Sequence, residues 1–415
     1  MNDVPKRPQK KRKSKKPRKR RRLWLRILGW VSLAIFIVIG ALVVESWTAM
    51  GKPPSTEHQT QLADSPRFGD GTFHNQLKEQ TRYAGALWAM VRGDDNREPE
   101  EQIVVVPRRG SDFDVPPTGG LRVTWLGHST SLIEIDGQRI LFDPVWGQRS
   151  GPSQYVGPKR FFQPPLPLDE LPPVDAVVIS HDHYDHLDYP TIKALKDRKT
   201  RFIVPLGVGS HLQYWGVPKE RIEELDWWQE VKSGDVRLVC TPSRHFSGRS
   251  LTDRNATLWA SWALVGPKHR VYFSGDTAMF PEFTDIGERL GPFDIAMVES
   301  GAYNAAWADV HLGPEQAVQA ALMVKAKLML PVHWGTFNLA AHGWTEPVER
   351  VLAEAKRFDL PVVVPRPGES IVPAEKPELV RWWPTLPFKS ASEAPIISSG
   401  LPATPTIPPA VTPSS

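Results

Sequence analysis

By length alone a chain of 415 residues holds two or three domains, but both ends are compositionally biased and leave a middle of about 310 residues as one large domain. The formal charge of +5 belongs to the front: residues 1–22 carry thirteen Lys or Arg against Asp3, so the rest has 38 basic and 45 acidic residues, a net of −7. That balance argues against nucleic acid as a partner, and the single cysteine, Cys240, excludes an internal disulfide and sits in an apolar run as core filling.

In chain order, the basic arm (1–22) is followed by Ile27 to Val44, eighteen residues without a charge. At a rise of about 1.5 Å each they nearly span a hydrocarbon core of about 30 Å, and Trp24, Trp30 and Trp47 suit its interfaces. Residues 23–47 therefore read as a transmembrane signal anchor; a cleaved signal peptide is the competing reading, with Ala49 its weak cleavage hint. Because every basic residue of the arm precedes the segment, the positive-inside bias predicts a cytoplasmic N-terminus and a catalytic domain on the periplasmic or extracellular side. Residues 48–65, polar and Pro-containing, predict a stalk, and residues 374–415, rich in Pro, Ser and Thr, a disordered tail.

Within residues 66–373, β-branched runs predict strands at Leu121–Trp125 and Ser131–Ile135, an Asp136-Gly137 turn, and a strand at Arg139–Phe142. Further strands are expected at Ala176–Ile179, Phe202–Val204, Val236–Cys240, Leu258–Val265, Arg270–Phe273, Ile295–Val298, Leu328–Val332 and Val362–Val364. Helical patterns fall at Tyr189–Asp197, Gly313–Val324 and Pro347–Phe358. Together they predict a layered α/β protein with two sheets or one large mixed sheet, and periodicity alone does not choose between these.

Directly after Ile179 the chain reads Ser180-His181-Asp182-His183-Tyr184-Asp185-His186-Leu187-Asp188. Three imidazoles and three carboxylates within eight residues, on a loop at a strand's C-terminal end, are donors for a borderline or hard cation. A merely solvated turn would not need three His at that spacing. In an extended loop alternate side chains share a direction, which predicts His181 and His183 on one metal and Asp185 and His186 on a second. Three more candidates end apolar strands: His245, Asp276 and His333. Ends of adjacent strands converge on one sheet edge, where metals are commonly held.

The run HDHYDH fits H-x-H-x-D-H; with His245, Ser274-Gly275-Asp276-Thr277 and Pro331-Val332-His333-Trp334-Gly335-Thr336 in that order, the chain resembles the metallo-β-lactamase superfamily over about residues 66–370. The resemblance implies an αββα sandwich with its site at the sheets' edge. It also implies one metal on His181, His183 and His245, a second on Asp185, His186 and His333, and Asp276 bridging. Two such ions, about 3.5 to 4 Å apart, trap a hydroxide, lower its pKa and clamp the charge developing in a displacement, with Asp185 also orienting the nucleophile. Zinc is the metal the resemblance implies, although the same donors accept manganese or iron.

Within that superfamily the chain is most similar to the branch of N-acyl-phosphatidylethanolamine-hydrolysing phospholipases D and related bacterial membrane proteins. The similarity rests on Arg67-Phe68-Gly69-Asp70-Gly71-Thr72-Phe73-His74-Asn75, Gly127-His128-Ser129-Thr130, Leu141-Phe142-Asp143-Pro144, Ser247-Gly248-Arg249, Leu258-Trp259-Ala260-Ser261-Trp262 and His311 with Gly313-Pro314-Glu315-Gln316-Ala317. It implies a phospholipid substrate, cleaved to phosphatidic acid and an N-acylethanolamine. His311, just ahead of a helix, either meets an anionic phosphate or protonates the leaving alkoxide, or else only caps the helix. His128 and His74 read as supporting residues, and Asp143 as either the partner of a ligand imidazole or an Asp-Pro turn. Among sixteen Trp, those flanking the motifs (Trp146, Trp259, Trp262, Trp334, Trp344) read as aromatic core, with a lipid-facing groove the alternative for some of them. The competing functions are a nuclease or cyclic phosphodiesterase, against which the −7 balance argues, a lactamase or lactonase on the same site, and a non-enzymatic envelope protein, which would have lost metal ligands.

Overall fold

The computed structural model describes residues 18–401; most of the predicted arm (1–17) and the end of the predicted tail (402–415) lie outside the described residues. Two compact units meet in the chain at Trp47–Thr48. The first contains helix α1 (Arg18–Trp47), whose 25-residue stretch Leu23–Trp47 includes eighteen consecutive residues of mean hydropathy 2.8 and is long and apolar enough to cross a membrane. It is hydrophobic all round rather than striped, the pattern of a helix that meets apolar surroundings on every side.

The second unit opens with α2 (Thr56–Leu62), capped by the Ser55 hydroxyl on His58 N–H, then a short hairpin of β1 (Phe68–Gly69) and β2 (Thr72–Phe73), and α3 (Tyr83–Arg92). A first sheet holds β3 (Leu121–Gly127), β4 (Thr130–Ile135), β5 (Gln138–Phe142), β6 (Ala176–Val178), β7 (Arg201–Pro205) and β8 (Ile222–Leu225) side by side. A second holds β9 (Glu230–Ser233), β10 (Val236–Thr241), β11 (Ser261–Val265), β12 (Arg270–Phe273), β13 (Ile295–Glu299) and β14 (Met329–Val332). The two-residue β15 (Ser370–Ile371) closes the first sheet on β3. The β4–β5 turn is the predicted Asp136-Gly137 pair, both at positive φ as a tight hairpin requires.

Alternation along the strands makes the layers. Val123, Trp125, Ile133, Phe142 and Val178 from one sheet and Leu238, Cys240, Trp262, Phe273 and Met297 from the other point inward into one buried cluster. The opposite faces bury against helices: α4 (Tyr189–Leu195) and α5 (Gly209–Tyr214) on the first sheet, α6 (Phe283–Leu290), α7 (Pro314–Met323) and α8 (Glu346–Arg357) on the second. The result is the αββα sandwich that the resemblance implies.

Strand direction then fixes where chemistry can gather. β5 through β8 are parallel to one another, as are β12 through β14, and two antiparallel steps bring β3 into line with β5 and β10 into line with β12. The C-terminal ends of β3, β5, β6, β10, β12, β13 and β14 therefore lead to one edge of the sandwich.

The expected strand at Leu258–Val265 begins only at Ser261, because Ala260 N–H turns aside to the Ser180 carbonyl, and Val362–Val364 makes only a single bridge. β8 and β9 lie outside the predicted set, being short, polar and half-buried at sheet edges; so does α5, too short for helical periodicity to register. The segment expected as a stalk lies on the domain, with Ala49, Pro54 and Leu62 buried. Order also extends into the expected tail. Trp382 donates to the Val364 carbonyl (3.0 Å), Trp383 is buried and donates to Glu349 (2.8 Å), and Ser398 donates to the Ala308 carbonyl (2.7 Å).

Trp334 stands against Trp125, Trp344, Trp382 and Trp383 at ring separations of 5.6 to 6.4 Å, so the tail completes an aromatic cluster of the core. Trp383→Ala is accordingly expected to lower the unfolding free energy by about 3 to 5 kcal/mol in a urea titration, where a residue in a disordered tail would leave it unchanged.

Candidate metal centre

β6 delivers the HDHYDH loop. The Trp262 indole holds the Ile179 carbonyl (3.0 Å), and both the backbone N–H and the hydroxyl of Ser180 donate to Asp143 at the end of β5 (2.7 and 2.6 Å). The loop is a turn rather than extended: the His183 carbonyl accepts the N–H groups of His186 and Leu187, which brings Asp185 and His186 to a separate set of donors while the His181 and His186 rings stay 4.2 Å apart. The division of side chains expected from an extended loop is thus reached by a helical turn.

His181, His183, His245 and Asp276 form the first group, with four donor atoms within 4.8 Å of one another. His181 Nε2 lies 2.8 Å and His245 Nε2 3.2 Å from His183 Nδ1, while Asp276 Oδ2 stands 3.8 and 3.7 Å from the same His181 and His245 atoms. The Val310 carbonyl accepts His245 Nδ1–H (2.8 Å), which leaves the Nε2 lone pair facing the group.

Asp185, His186 and His333 form the second group, joined by His128. Asp185 Oδ2 is 3.3 Å from His333 Nε2 and 3.6 Å from His186 Nε2; Asp276 reaches the same two nitrogens at 3.1 and 3.2 Å. Asp276 thus stands between the groups, where the resemblance puts a bridging carboxylate. Asp143 accepts His186 Nδ1–H (2.7 Å) and so decides in favour of the imidazole-partner reading over the Asp-Pro turn. His128, expected only as support, holds Asp185 through Nε2 (2.9 Å) and takes His333 N–H on its carbonyl. Burial, with His333 adding to it, pushes His128 down to about 3, so near neutral pH it is an uncharged donor to Asp185. The His74 imidazole meets the Gly69 carbonyl (3.0 Å) and the Thr72 hydroxyl (3.5 Å) within the hairpin region, whereas its neighbour Asn75 donates to the His245 carbonyl (2.6 Å).

The donor set fits divalent cations. His186 Nε2, His333 Nε2 and Asp276 Oδ1 are buried and find no hydrogen-bond partner among the described residues, although all three face the group. Burial drives His181 and His245 well below the ordinary imidazole range. Burial pulls His186 and His333 down as well, but Asp276 and Asp185 outweigh it, holding His186 well above its usual value and His333 up to about 10. In the metal-free protein, then, imidazolium protons offset the buried carboxylates, and cations would take their place.

His311 lies beside both groups, its ring 5.1 Å from His245 and 5.3 Å from His333. Its Nδ1–H goes to Glu299 (2.7 Å) at the end of β13, a fully buried carboxylate that also accepts Thr277 N–H and Leu312 N–H. Burial raises the Glu299 carboxyl while His311 pulls it back down. Sequence reasoning did not single out Glu299; its one signal was a carboxylate at the end of a strand that leads to the same edge.

Residues 138–334 match the family described as Beta-lactamase superfamily domain. An uncharacterised protein of Mycobacterium tuberculosis is 49% identical over 77% of this chain and 87% of its own length. The N-acyl-phosphatidylethanolamine-hydrolyzing phospholipase D 1 of Caenorhabditis elegans is 39% identical over 54% of this chain and 67% of its own length. Among solved structures, the isothiocyanate hydrolase from Delia radicum gut bacteria shares the fold, with a TM-score of 0.50 at 19% identity over 60% of this chain and 98% of that one.

Two outcomes are expected of the centre. Asp143→Ala should weaken the second ion about 10- to 100-fold, read as loss of one of two zinc ions by elemental analysis after mild dialysis. Because bound ions displace protons from His186 and His333, whose folded values are raised, zinc affinity of the metal-free protein should fall as pH falls. Titrations at pH 6 and pH 8 in the same buffer check this, and pH-independent affinity would contradict it.

Proposed function

We propose that this chain, which belongs to the metallo-β-lactamase superfamily, is a phospholipase D-type phosphodiesterase that cleaves N-acyl-phosphatidylethanolamine to phosphatidic acid and an N-acylethanolamine. The coarser activity, metal-dependent hydrolysis, follows from the family and from its hydrolase relatives. The observation that carries the reaction type is Asp276 standing between two His/Asp groups, with the Glu299–His311 pair alongside. The lipid substrate is supported by the motifs shared with the phospholipase D branch and by the C. elegans relative, and α1 is suited to hold the domain beside phospholipid.

Two divalent ions, zinc in this reading, supply an activated water and the positive charge that answers the phosphodiester. The protein's own residues do the rest. Asp185, fixed by neutral His128, accepts from and orients the attacking water. His311 is locked with Nδ1–H on Glu299, which leaves Nε2 to hold a proton toward the leaving alkoxide of the ethanolamide. Asp143, Ser180 and the Val310 carbonyl keep the imidazoles oriented, so little reorganisation accompanies the displacement. The arm and α1 set the catalytic domain on the non-cytoplasmic side of the membrane by the positive-inside bias.

The zinc-loaded full chain in phospholipid vesicles should release phosphatidic acid from N-acyl-phosphatidylethanolamine, and His183→Ala should abolish the release. A protein that holds two zinc ions yet releases none would sink the substrate and leave the hydrolase. His311→Ala should cut kcat by about 100- to 10,000-fold with zinc content unchanged, and Glu299→Gln by less. Near-normal turnover in His311→Ala would remove the proton-delivery role.

A further inference from the structure

The residues that directly follow α1 in the chain, Thr48 to Lys52, make an unusual set of contacts. The Trp215 indole donates to the Thr48 carbonyl (2.7 Å), and the Arg249 guanidinium donates to the Ala49 carbonyl through Nε and Nη2 (3.2 and 2.7 Å). Lys52 N–H donates to His211 Nδ1 (3.0 Å). Two of these three side chains, Arg249 and His211, turn their other end to the metal loop. Arg249 Nη1 donates to the carbonyls of Asp182 and Leu187, near the two ends of the HDHYDH turn. His211 Nε2 lies 3.4 Å from the Asp182 carboxylate, and Asp182 is the residue between His181 and His183. Since Nδ1 accepts from Lys52, the neutral ring carries its proton on Nε2, facing that carboxylate.

This arrangement is built rather than incidental. Arg249 and His211 are buried, and the guanidinium is enclosed between the rings of Tyr184 (4.1 Å) and Trp215 (5.0 Å). Gly51 sits at φ +72°, and a Cβ there would stand 2.3 Å from His211 Nδ1, so the main chain is pressed against the ring where no other residue fits. The Asp182 carboxylate is further fixed by Gly248 N–H and the Thr257 hydroxyl (both 2.8 Å), and His211, held from behind by Lys52 N–H, stands 3.4 Å from it.

We propose that Thr48 to Lys52 form a strap which, through Arg249 and His211 as positioning residues, holds the loop carrying His181 and His183 in its metal-binding shape. The segment joined to the end of α1 is thereby a working part of the metal centre. The inference rests on the metal-loop reading and not on the lipid substrate.

The test loads full-length protein with zinc and follows its loss to a chelator, alongside hydrogen exchange of residues 180–188 and melting of the metal-free protein. Gly51→Ala and His211→Leu should lose zinc about ten-fold faster than the unaltered chain and exchange faster across the loop, and because neither side chain fits its site the metal-free protein should also melt somewhat lower. His211→Gln, whose amide can still accept from Lys52 and donate to Asp182, should restore retention, and Glu57→Gln on the exposed face of α2 should behave as the unaltered chain. Zinc retention and loop exchange unchanged in both Gly51→Ala and His211→Leu would overturn the proposal, as would His211→Gln losing zinc as fast as His211→Leu. Should the unaltered chain fail to hold zinc, the metal-loop reading itself falls, a result distinct from a strap without effect.

Discussion

Asp276 is a carboxylate with 2% exposure, and the cost of burying its charge organises what surrounds it. Four imidazoles place a nitrogen between 3.1 and 3.8 Å from its two oxygens, and none of the four approaches is a simple paired hydrogen bond. Protons on His186 and His333 offset part of the charge, but a divalent ion does so at closer range and without leaving neutral lone pairs facing one another. The centre is therefore poised for cations by its own electrostatics, apart from any likeness to other proteins. The same logic reaches outward, because Asp143, His128 and Glu299 each hold one imidazole or carboxylate of the centre in a single orientation.

How so many donors meet in one place is a matter of strand polarity. Two sheets, each with parallel strands beside an antiparallel hairpin, send seven C-terminal ends to one edge, and each contributes: His128 after β3, Asp143 after β5, the HDHYDH turn after β6, His245 after β10, Asp276 after β12, Glu299 ending β13 and His333 after β14. A donor at the opposite end of any of these strands would lie a full strand length away. The interior that sets the sheets' spacing also touches the site directly, since Trp262 binds the Ile179 carbonyl and Trp334, next to His333, packs into the tryptophan cluster.

This explains what could be read from the sequence. Strands rich in β-branched residues announce themselves, and three His in six residues at a strand end have no ordinary structural use, so the loop's share of the two groups was legible before any coordinates, while the assignment of His245, Asp276 and His333 to them came from the family resemblance. Glu299 was not legible, because one carboxylate after an apolar strand is indistinguishable from a cap until its partners are known. His128 was read as a supporting residue, and it is one, holding Asp185. The strap was hidden for a different reason: Thr48, Ala49 and Lys52 act through backbone carbonyls and an N–H, which no side-chain pattern reports. In the tail, Pro-rich composition outweighed the one feature that mattered, the Trp382-Trp383 pair with enough apolar area to pay for ordering the chain around it.

Three residues at the functional edge also carry backbone strain: His128 (φ 53°), Asp143 (φ 37°) and His333 (φ 65°) occupy the left-handed region that ordinary side chains avoid. Each such position costs of order 1 to 3 kcal/mol and persists only where its surroundings over-determine it. Here they do. His128 N–H is held by Thr336 and its carbonyl by the Trp125 indole, Asp143 by Ser180, Thr130 and the Val178 carbonyl, and His333 by the His128 carbonyl. At each of these points the strand has ended and the chain must turn at once if its side chain is to face the centre rather than continue along the sheet. The strain is thus the local consequence of packing several donors around one buried carboxylate, and the aromatic core beneath supplies the rigidity that sustains it.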